Sequence, residues 1–192
     1  MTAPTLHTPR LLLRQLRLAD APSLHIALSD KSHMQWWSSA EHKSVAETEA
    51  YISRNASEDE KHLCWAITER DEQALGWVIL IPRREGVQEI GYIVRPDYGG
   101  RGFAREAVAA VVEYGFSELG LRRIMADIDP DNTASIRLVE ALGFRREGRL
   151  REEWKTHIGV RDSLIYAVLA KEWLASPVKP GACADSHRNS LT

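Results

Sequence analysis

Cysteine is almost missing from this chain: Cys64 lies inside an apolar run, Cys183 in a polar stretch, and there are no others in 192 residues. Two thiols in such settings build neither a disulfide framework nor a zinc ribbon, and the usage is that of a protein kept in the reducing cytoplasm. The seven histidines form neither a His-x-x-x-His pair nor a cluster with cysteine, so no metal is expected. No apolar window approaches the ~18 residues a membrane span requires, and Met1-Thr-Ala-Pro4 leads into no apolar export signal, so no membrane is expected. An excess of one charge sign is also absent. Lys+Arg 25 stand against Asp+Glu 27, for a net charge of -2, whereas a binder of phosphate backbones carries a basic surplus, so no nucleic acid is expected.

What remains is the composition of an ordinary soluble globule, 44% hydrophobic and 27% charged, of a length that one core can serve. The expectation is a single domain over residues 1–174 and a disordered tail over 175–192, where polar residues leave too little to bury. Apolar patterning predicts strands over 10–16, 62–68, 75–81, 88–94, 123–128, 144–154 and 161–170. It predicts helices over 19–29, 44–59 and 103–119, and one opening after Asn132 whose inner face is Ala134, Leu138, Ala141 and Leu142. Short polar links at Asp71-Glu72 and Arg83 to Gly86 favour an antiparallel meander, and the fold class is α+β, a mostly antiparallel sheet with helices packed on it.

The most informative stretch is Glu89-Ile-Gly-Tyr-Ile-Val-Arg-Pro-Asp-Tyr-Gly-Gly-Arg-Gly-Phe-Ala104, a β-branched run that passes through Gly99, Gly100 and Gly102 into a helical pattern. A glycine loop at a helix N-terminus gathers unpaired N–H groups and the positive end of the helix dipole, which suits a phosphate or pyrophosphate. It is not a P-loop, because no lysine follows the glycines. Nor does it complete a dinucleotide fingerprint, because Arg105 stands where the third glycine belongs and Asp127 and Asp129 lie too far along.

Two motifs identify the ligand more narrowly. Pro96-x-Tyr-x-Gly-x-Gly102-Phe-Ala-x-Glu-Ala107 and Asp129-x-x-Asn132-x-x-Ser135-x-x-Leu-x-Glu140-x-Leu-Gly-Phe144 resemble the GNAT superfamily of acyl-CoA-dependent N-acyltransferases. Thr8-Pro-Arg-Leu-x-Leu-Arg14 and Arg161-Asp162-Ser-x-x-Tyr166 are similar to its RimJ/RimL branch, named for ribosomal-protein N-terminal acetyltransferases. The matching segments run from about residue 8 to 172. The resemblance implies a sheet splayed at an acetyl-CoA site. There the amides of Gly99, Gly100, Arg101, Gly102, Phe103 and Ala104 hold the pyrophosphate, the backbone of Ile93 and Val94 pairs with the pantetheine, and Asn132 reaches it from the next helix. Position 99 departs from the family by being glycine, and Arg101 is a candidate phosphate partner.

Acetyl transfer to an amine needs a base, an oxyanion site and an acid for the departing thiolate. The resemblance implies Glu89 as base, with Glu152 and Glu153 as rivals and Trp154 at the place of the glutamate that RimL-like enzymes use. It implies Ser135 as acid, with Tyr166 and Tyr98 as alternatives. Trp36-Trp37 is a candidate wall for the acceptor, a small-molecule amine or a protein N-terminus, and a homodimer is in keeping with the family. The alternative functions are a non-catalytic acyl-CoA-binding regulatory module and a nucleotide-binding α/β protein.

Overall fold

The computed structural model describes residues 2–56, 62–70 and 73–175. Eight strands form one sheet: β1 (Leu6–His7), β2 (Leu12–Gln15), β3 (Leu63–Thr68), β4 (Gly76–Arg84), β5 (Val87–Val94), β6 (Arg123–Ile128), β7 (Arg145–Thr156) and β8 (Gly159–Leu169). Their order is β1-β2-β3-β4-β5-β6-β8-β7, and every neighbouring pair is antiparallel except β5 with β6. The helices are α1 (Ala21–Leu28), α2 (Lys31–Met34), α3 (Val45–Asn55), α4 (Phe103–Ser117), α5 (Thr133–Ala141) and α6 (Ala170–Ala175).

Strand alternation sorts the side chains into two cores. Leu63, Trp65 and Ile67 of β3, Val78 and Leu80 of β4, and Ile124, Ala126 and Ile128 of β6 point to the face covered by α4 and α5. Cys64, Ala66, Trp77, Ile79 and Ile93 point to the other, where α1 and α3 supply Ala21, Leu24, Ala27, Leu28 and Ile52. That is why all six residues of β3 are buried. The second core holds no residue of β6 or β8, so the sheet face over those two strands lacks the helical cover given to β3 and β4.

The meander and the long helix behind the glycine loop agree with expectation. Four differences have local causes. The strand expected over 10–16 shortens to β2, because Pro9 and Arg10 form the bend between β1 and β2, closed by the Thr8 N–H on Leu11 O at 3.0 Å. The helix expected over 19–29 begins as a 3-10 turn at Leu18–Asp20, where Asp20 takes the N–H of Arg17 and pairs with the buried Arg14. α5 buries Val139 and Leu142, with Ile136 and Leu138 partly covered, while Ala134 and Ala141 are exposed. The Ile136–Val139–Leu142 row is the apolar ridge at spacing three, and its larger side chains win the sheet. The apolar pattern does not predict α6; Glu172 caps it by accepting the N–H of Leu169. Of the expected tail only Ala175 is described, as the last residue of α6; the remainder lies outside the described residues.

Candidate active site

β5 and β6 pair only over Val87↔Arg123 to Glu89↔Met125. Beyond that point β5 stays on β4 as far as Val94↔Gly76, and β6 stays on β8 as far as Ile128↔Leu164, so the sheet opens between two intact halves. From Ile90 to Val94 one edge of β5 therefore carries no strand partner. Gly76 makes the other edge fit closely: a Cβ there would lie 2.1 Å from the Ile93 carbonyl oxygen. A cleft of about 620 Å³ occupies the gap, bordered by Glu89, Gly91, Tyr92, Ile93, Val94, Asp127, Asn132 and Ser135 and walled by Trp36, Trp37, Tyr51 and Trp77.

The glycine loop stands at the end of β5. A 3-10 turn at Pro96–Tyr98 leads into it, and Gly102, at φ 78°, is the N-cap of α4. A residue with a Cβ resists that left-handed conformation, and a glycine N-cap brings no side chain to the first-turn amides of Phe103, Ala104 and Arg105. Gly99 differs from the expectation: its N–H closes the turn onto Pro96 O at 3.0 Å, so it is engaged inside the loop rather than offered to a ligand. Gly99 and Ala104 border the cleft, whereas the Phe103 side chain is buried in the core. The Arg101 guanidinium lies 4.9 Å from the Tyr98 ring centre and donates to Asp97 O at 3.3 Å.

The chain's first segment fastens this loop. Glu106, in the first turn of α4, accepts from the Thr8 hydroxyl at 2.6 Å, the Arg10 N–H at 2.9 Å and Arg10 Nε at 2.6 Å. Arg10 Nη1 also donates to Arg101 O at 2.9 Å, and its guanidinium sits 4.8 Å from the centre of the Phe103 ring. Burial alone would raise the Glu106 pKa, but the bonds from Thr8 and Arg10 outweigh it and hold the group below its ordinary value. In the sequence Thr8, Arg10 and Glu106 stand only as members of motifs; their common role emerges from the pairing.

Across the gap, Asn132 caps α5 through Oδ1, which accepts the Ser135 N–H at 3.2 Å, leaving its amide nitrogen as donor. Tyr92, which the sequence did not single out, donates its hydroxyl to Ser135 O at 3.4 Å. Desolvation pushes its pKa up to about 12 despite that bond, so Tyr92 is a neutral donor at any working pH. The alternation of β5 assigns Tyr92 to the α4 face, and only the splay admits it to the cleft. The two tyrosines expected as alternative acids lie elsewhere: Tyr166 is buried with its hydroxyl on Glu140 at 2.9 Å, and Tyr98 stacks beneath Arg95 and Arg101.

Glu89 borders the cleft and is paired with Arg83 at 2.6 Å. Its pKa is raised, chiefly by desolvation and further by Asp127, against the opposing pull of Arg83. Glu152 and Glu153 are exposed and stay out of the cleft, whereas Trp154 borders it and donates Nε1 to Asp127 at 3.0 Å. The reason is a register shift in β7 between Leu150 and Trp154, with Glu152 at φ 53°, which turns the two glutamates outward. Among the described residues no group of three His, Cys, Asp or Glu side chains is placed to hold a metal, and no helix is long and apolar enough to cross a membrane.

A split sheet with a side-chain-free helix N-terminus beside the split is the architecture of a transferase for CoA-borne acyl groups. Residues 10–145 match the family model described as the acetyltransferase (GNAT) domain. The uncharacterized N-acetyltransferase YoaA of Bacillus subtilis (strain 168) is 32% identical over 171 residues, which cover 86% of this chain and 97% of that one. A solved GNAT-family acetyltransferase from Bacillus anthracis superposes with a TM-score of 0.80 at 28% identity, covering 88% of this chain and all of the other. Spermidine N-acetyltransferase from Vibrio cholerae, solved in complex with CoA and spermine, gives 0.75 at 25% identity and covers 86% and 98%. The chain belongs to the GNAT family and is an acyl-CoA-dependent N-acetyltransferase.

Proposed function

We propose that the enzyme moves the acetyl group of acetyl-CoA to a primary amine by direct attack within the cleft, and that it is of the RimJ/RimL-like branch. The observation that carries the reading is the opening of β5 from β6 beside the uncapped start of α4. The residues present suit the cosubstrate. Amides of Gly100, Arg101, Gly102, Phe103 and Ala104 face a pyrophosphate, with Arg101 as a charged neighbour, while Gly99 shapes the turn. The unpaired edge at Ile93 and Val94 takes up the peptide-like pantetheine as a sheet edge takes up a strand, and the Asn132 amide nitrogen adds a donor. When bound, acetyl-CoA supplies an activated acyl carbon and a thiolate leaving group.

The chain's own residues do the rest. Glu89, kept basic by its partial burial, receives the amine proton. Backbone N–H groups on the open edge of β5 stabilise negative charge on the acyl oxygen. The Ser135 hydroxyl, at the first turn of α5, donates to the departing sulfur, and the Tyr92 hydroxyl lies beside it on the Ser135 carbonyl. Likeness to the Vibrio spermidine enzyme supports a small-molecule amine as acceptor; the branch motifs support a protein N-terminus. Incubation with labelled acetyl-CoA and a panel of arylalkylamines, polyamines and N-terminal peptides, read by mass spectrometry and CoA release, tests this. Acetylated amine with stoichiometric CoA is expected. Binding of acetyl-CoA with no acetylated product in any arm would return the chain to the regulatory-module reading.

A further inference from the structure

The cleft contains several carboxylates, and their partners separate them. Asp129 is held by Arg161 at 2.7 Å, Asp162 by Arg149 at 2.6 Å, and Glu89 by Arg83 at 2.6 Å. Asp127 alone among these has no cationic partner within the described residues. Its Oδ2 accepts from Trp154 Nε1 at 3.0 Å and its Oδ1 from the Ser163 hydroxyl at 2.5 Å. Both donors are neutral, so they orient the carboxylate without neutralising it. Each oxygen keeps a further lone-pair direction for a ligand.

One stretch of the wall is aromatic and aliphatic. Trp37 and Trp77 meet edge to face at 5.9 Å, Tyr51 lies 5.8 Å from Trp77, and Ile79 and Ile81 continue the surface. Trp36 sits 5.9 Å from the Arg161 guanidinium, which holds it at the same rim. A cleft with one uncompensated negative charge and a hydrophobic wall is balanced by a ligand with one positive charge and an apolar body. A polyamine would bring further ammonium groups, and the other carboxylates bordering the cleft are already paired with Arg83, Arg149 and Arg161.

We propose that Asp127 is a specificity-determining residue that receives the ammonium of the acceptor, and that the acceptor class is a primary amine on an aromatic or other apolar body lying along Trp37, Tyr51 and Trp77. The assignment rests on the acetyltransferase reading for its chemistry, though not for its binding. The hairpin of β7 and β8 positions the indole donor of Asp127. Asp162 Oδ1 accepts the Glu152 N–H at 2.8 Å, pinning the bulge that swings Trp154 over the cleft and onto Asp127. Trp154 is 43% exposed although it is a large aromatic, as expected of a ring that waits for a ligand to cover it.

The test compares 2-phenylethylamine, spermidine and the tertiary amine N,N-dimethyl-2-phenylethylamine, which carries the same charge but cannot accept a stable acetyl group. In the wild type, 2-phenylethylamine is expected to show the higher kcat/KM, and calorimetry is expected to detect the tertiary amine in the presence of CoA. Asp127→Asn is expected to raise the KM for 2-phenylethylamine and the Kd for the tertiary amine by about 10–100-fold, the loss of one hydrogen bond to a charged group, with KM for acetyl-CoA unchanged. Asp127→Glu, which keeps the charge, is expected to recover most of the binding. An unchanged amine KM in a folded Asp127→Asn protein overturns the inference and leaves the acetyltransferase reading intact, as does a preference for spermidine. Asp127-dependent binding of the tertiary amine without turnover of any amine supports the inference and counts against the acetyltransferase reading instead.

Discussion

Arg10 and Glu106 meet across 96 positions of the chain, the Arg10 N–H at 2.9 Å and its Nε at 2.6 Å from the carboxylate, while the same guanidinium holds the Arg101 carbonyl. A glycine loop is entropically costly to order, and here an N-terminal segment orders it from outside. The amides proposed to grip pyrophosphate are therefore pre-positioned by residues that do not face the cleft.

Replacing Arg10 by Ala is expected to raise the KM for acetyl-CoA by about threefold to thirtyfold, the cost of one or two charge-assisted hydrogen bonds at a partly exposed site. The kcat at saturating cosubstrate is expected to stay within about twofold, because no group proposed for chemistry is touched. Steady-state kinetics with either substrate varied reads the split. An equal fall in kcat would mean that Arg10 acts on the reacting centre.

Glu106→Gln makes a pH prediction. The Glu106 pKa is depressed in the folded protein, so its ionisation contributes stability that is complete above the unfolded value near ~4.3 and fades as pH falls through the lower folded value. The variant is expected to melt a few degrees below wild type at pH 7, with the gap closing below about pH 4. A gap independent of pH would assign the effect to packing.

Much of this was legible in the sequence, and the reasons are physical. The strand–glycine–helix succession is local, so its apolar period and turn residues announced α4 and the loop without knowledge of the rest. The pairing partners were not local. Thr8 and Arg10 reach Glu106, and Trp154 reaches Asp127, through contacts that the periodicity of neither segment encodes. Tyr92 was hidden for a different reason: alternation places it with the α4 core, and it meets the cleft only because β5 leaves β6 beyond the Glu89↔Met125 pair. The sequence offers Asp127 only as a ribose partner for a dinucleotide, a reading the fold discards, and its isolation from arginine is visible only once the other carboxylates are paired.

Glu89→Gln is expected to lower kcat by about 10²–10⁴-fold, the range for loss of a general base, with little change in KM for acetyl-CoA. A base works only when deprotonated, and the raised Glu89 pKa moves the acidic limb of the kcat/KM profile to a higher pH than a free glutamate would give. The wild-type profile should therefore climb with pH through that raised value, and the variant's residual activity should lack the limb. An unshifted limb in the variant would remove Glu89 from the role.

Ser135→Ala and Tyr92→Phe probe the acid. Either hydroxyl alone is expected to sustain some of the rate, because proximity and orientation carry much of the acceleration. Each single variant is expected to retain about a tenth of wild-type kcat. The double variant should fall further than the product of the two if they share one donor role. Substitution of a better leaving group for CoA is expected to rescue both.

Gly102→Ala separates loop geometry from loop occupancy. At φ 78° alanine is strained by about 1–2 kcal/mol, and its Cβ would lie an ordinary 3.5 Å from Arg10 Nη2, so the cost is conformational and not a clash. The ligand-free variant is expected to melt about 2–8 °C lower, from the scaling for a domain of this size. If the first-turn amides hold CoA, then CoA at a fixed concentration should also protect the variant less than the wild type, through ligand linkage. In the wild type, protection by CoA should exceed that by ATP or NAD at equal concentration. Equal protection of both proteins by CoA would place the pyrophosphate away from this loop, and stronger protection by NAD would favour a dinucleotide over an acyl carrier in the cleft between β5 and β6.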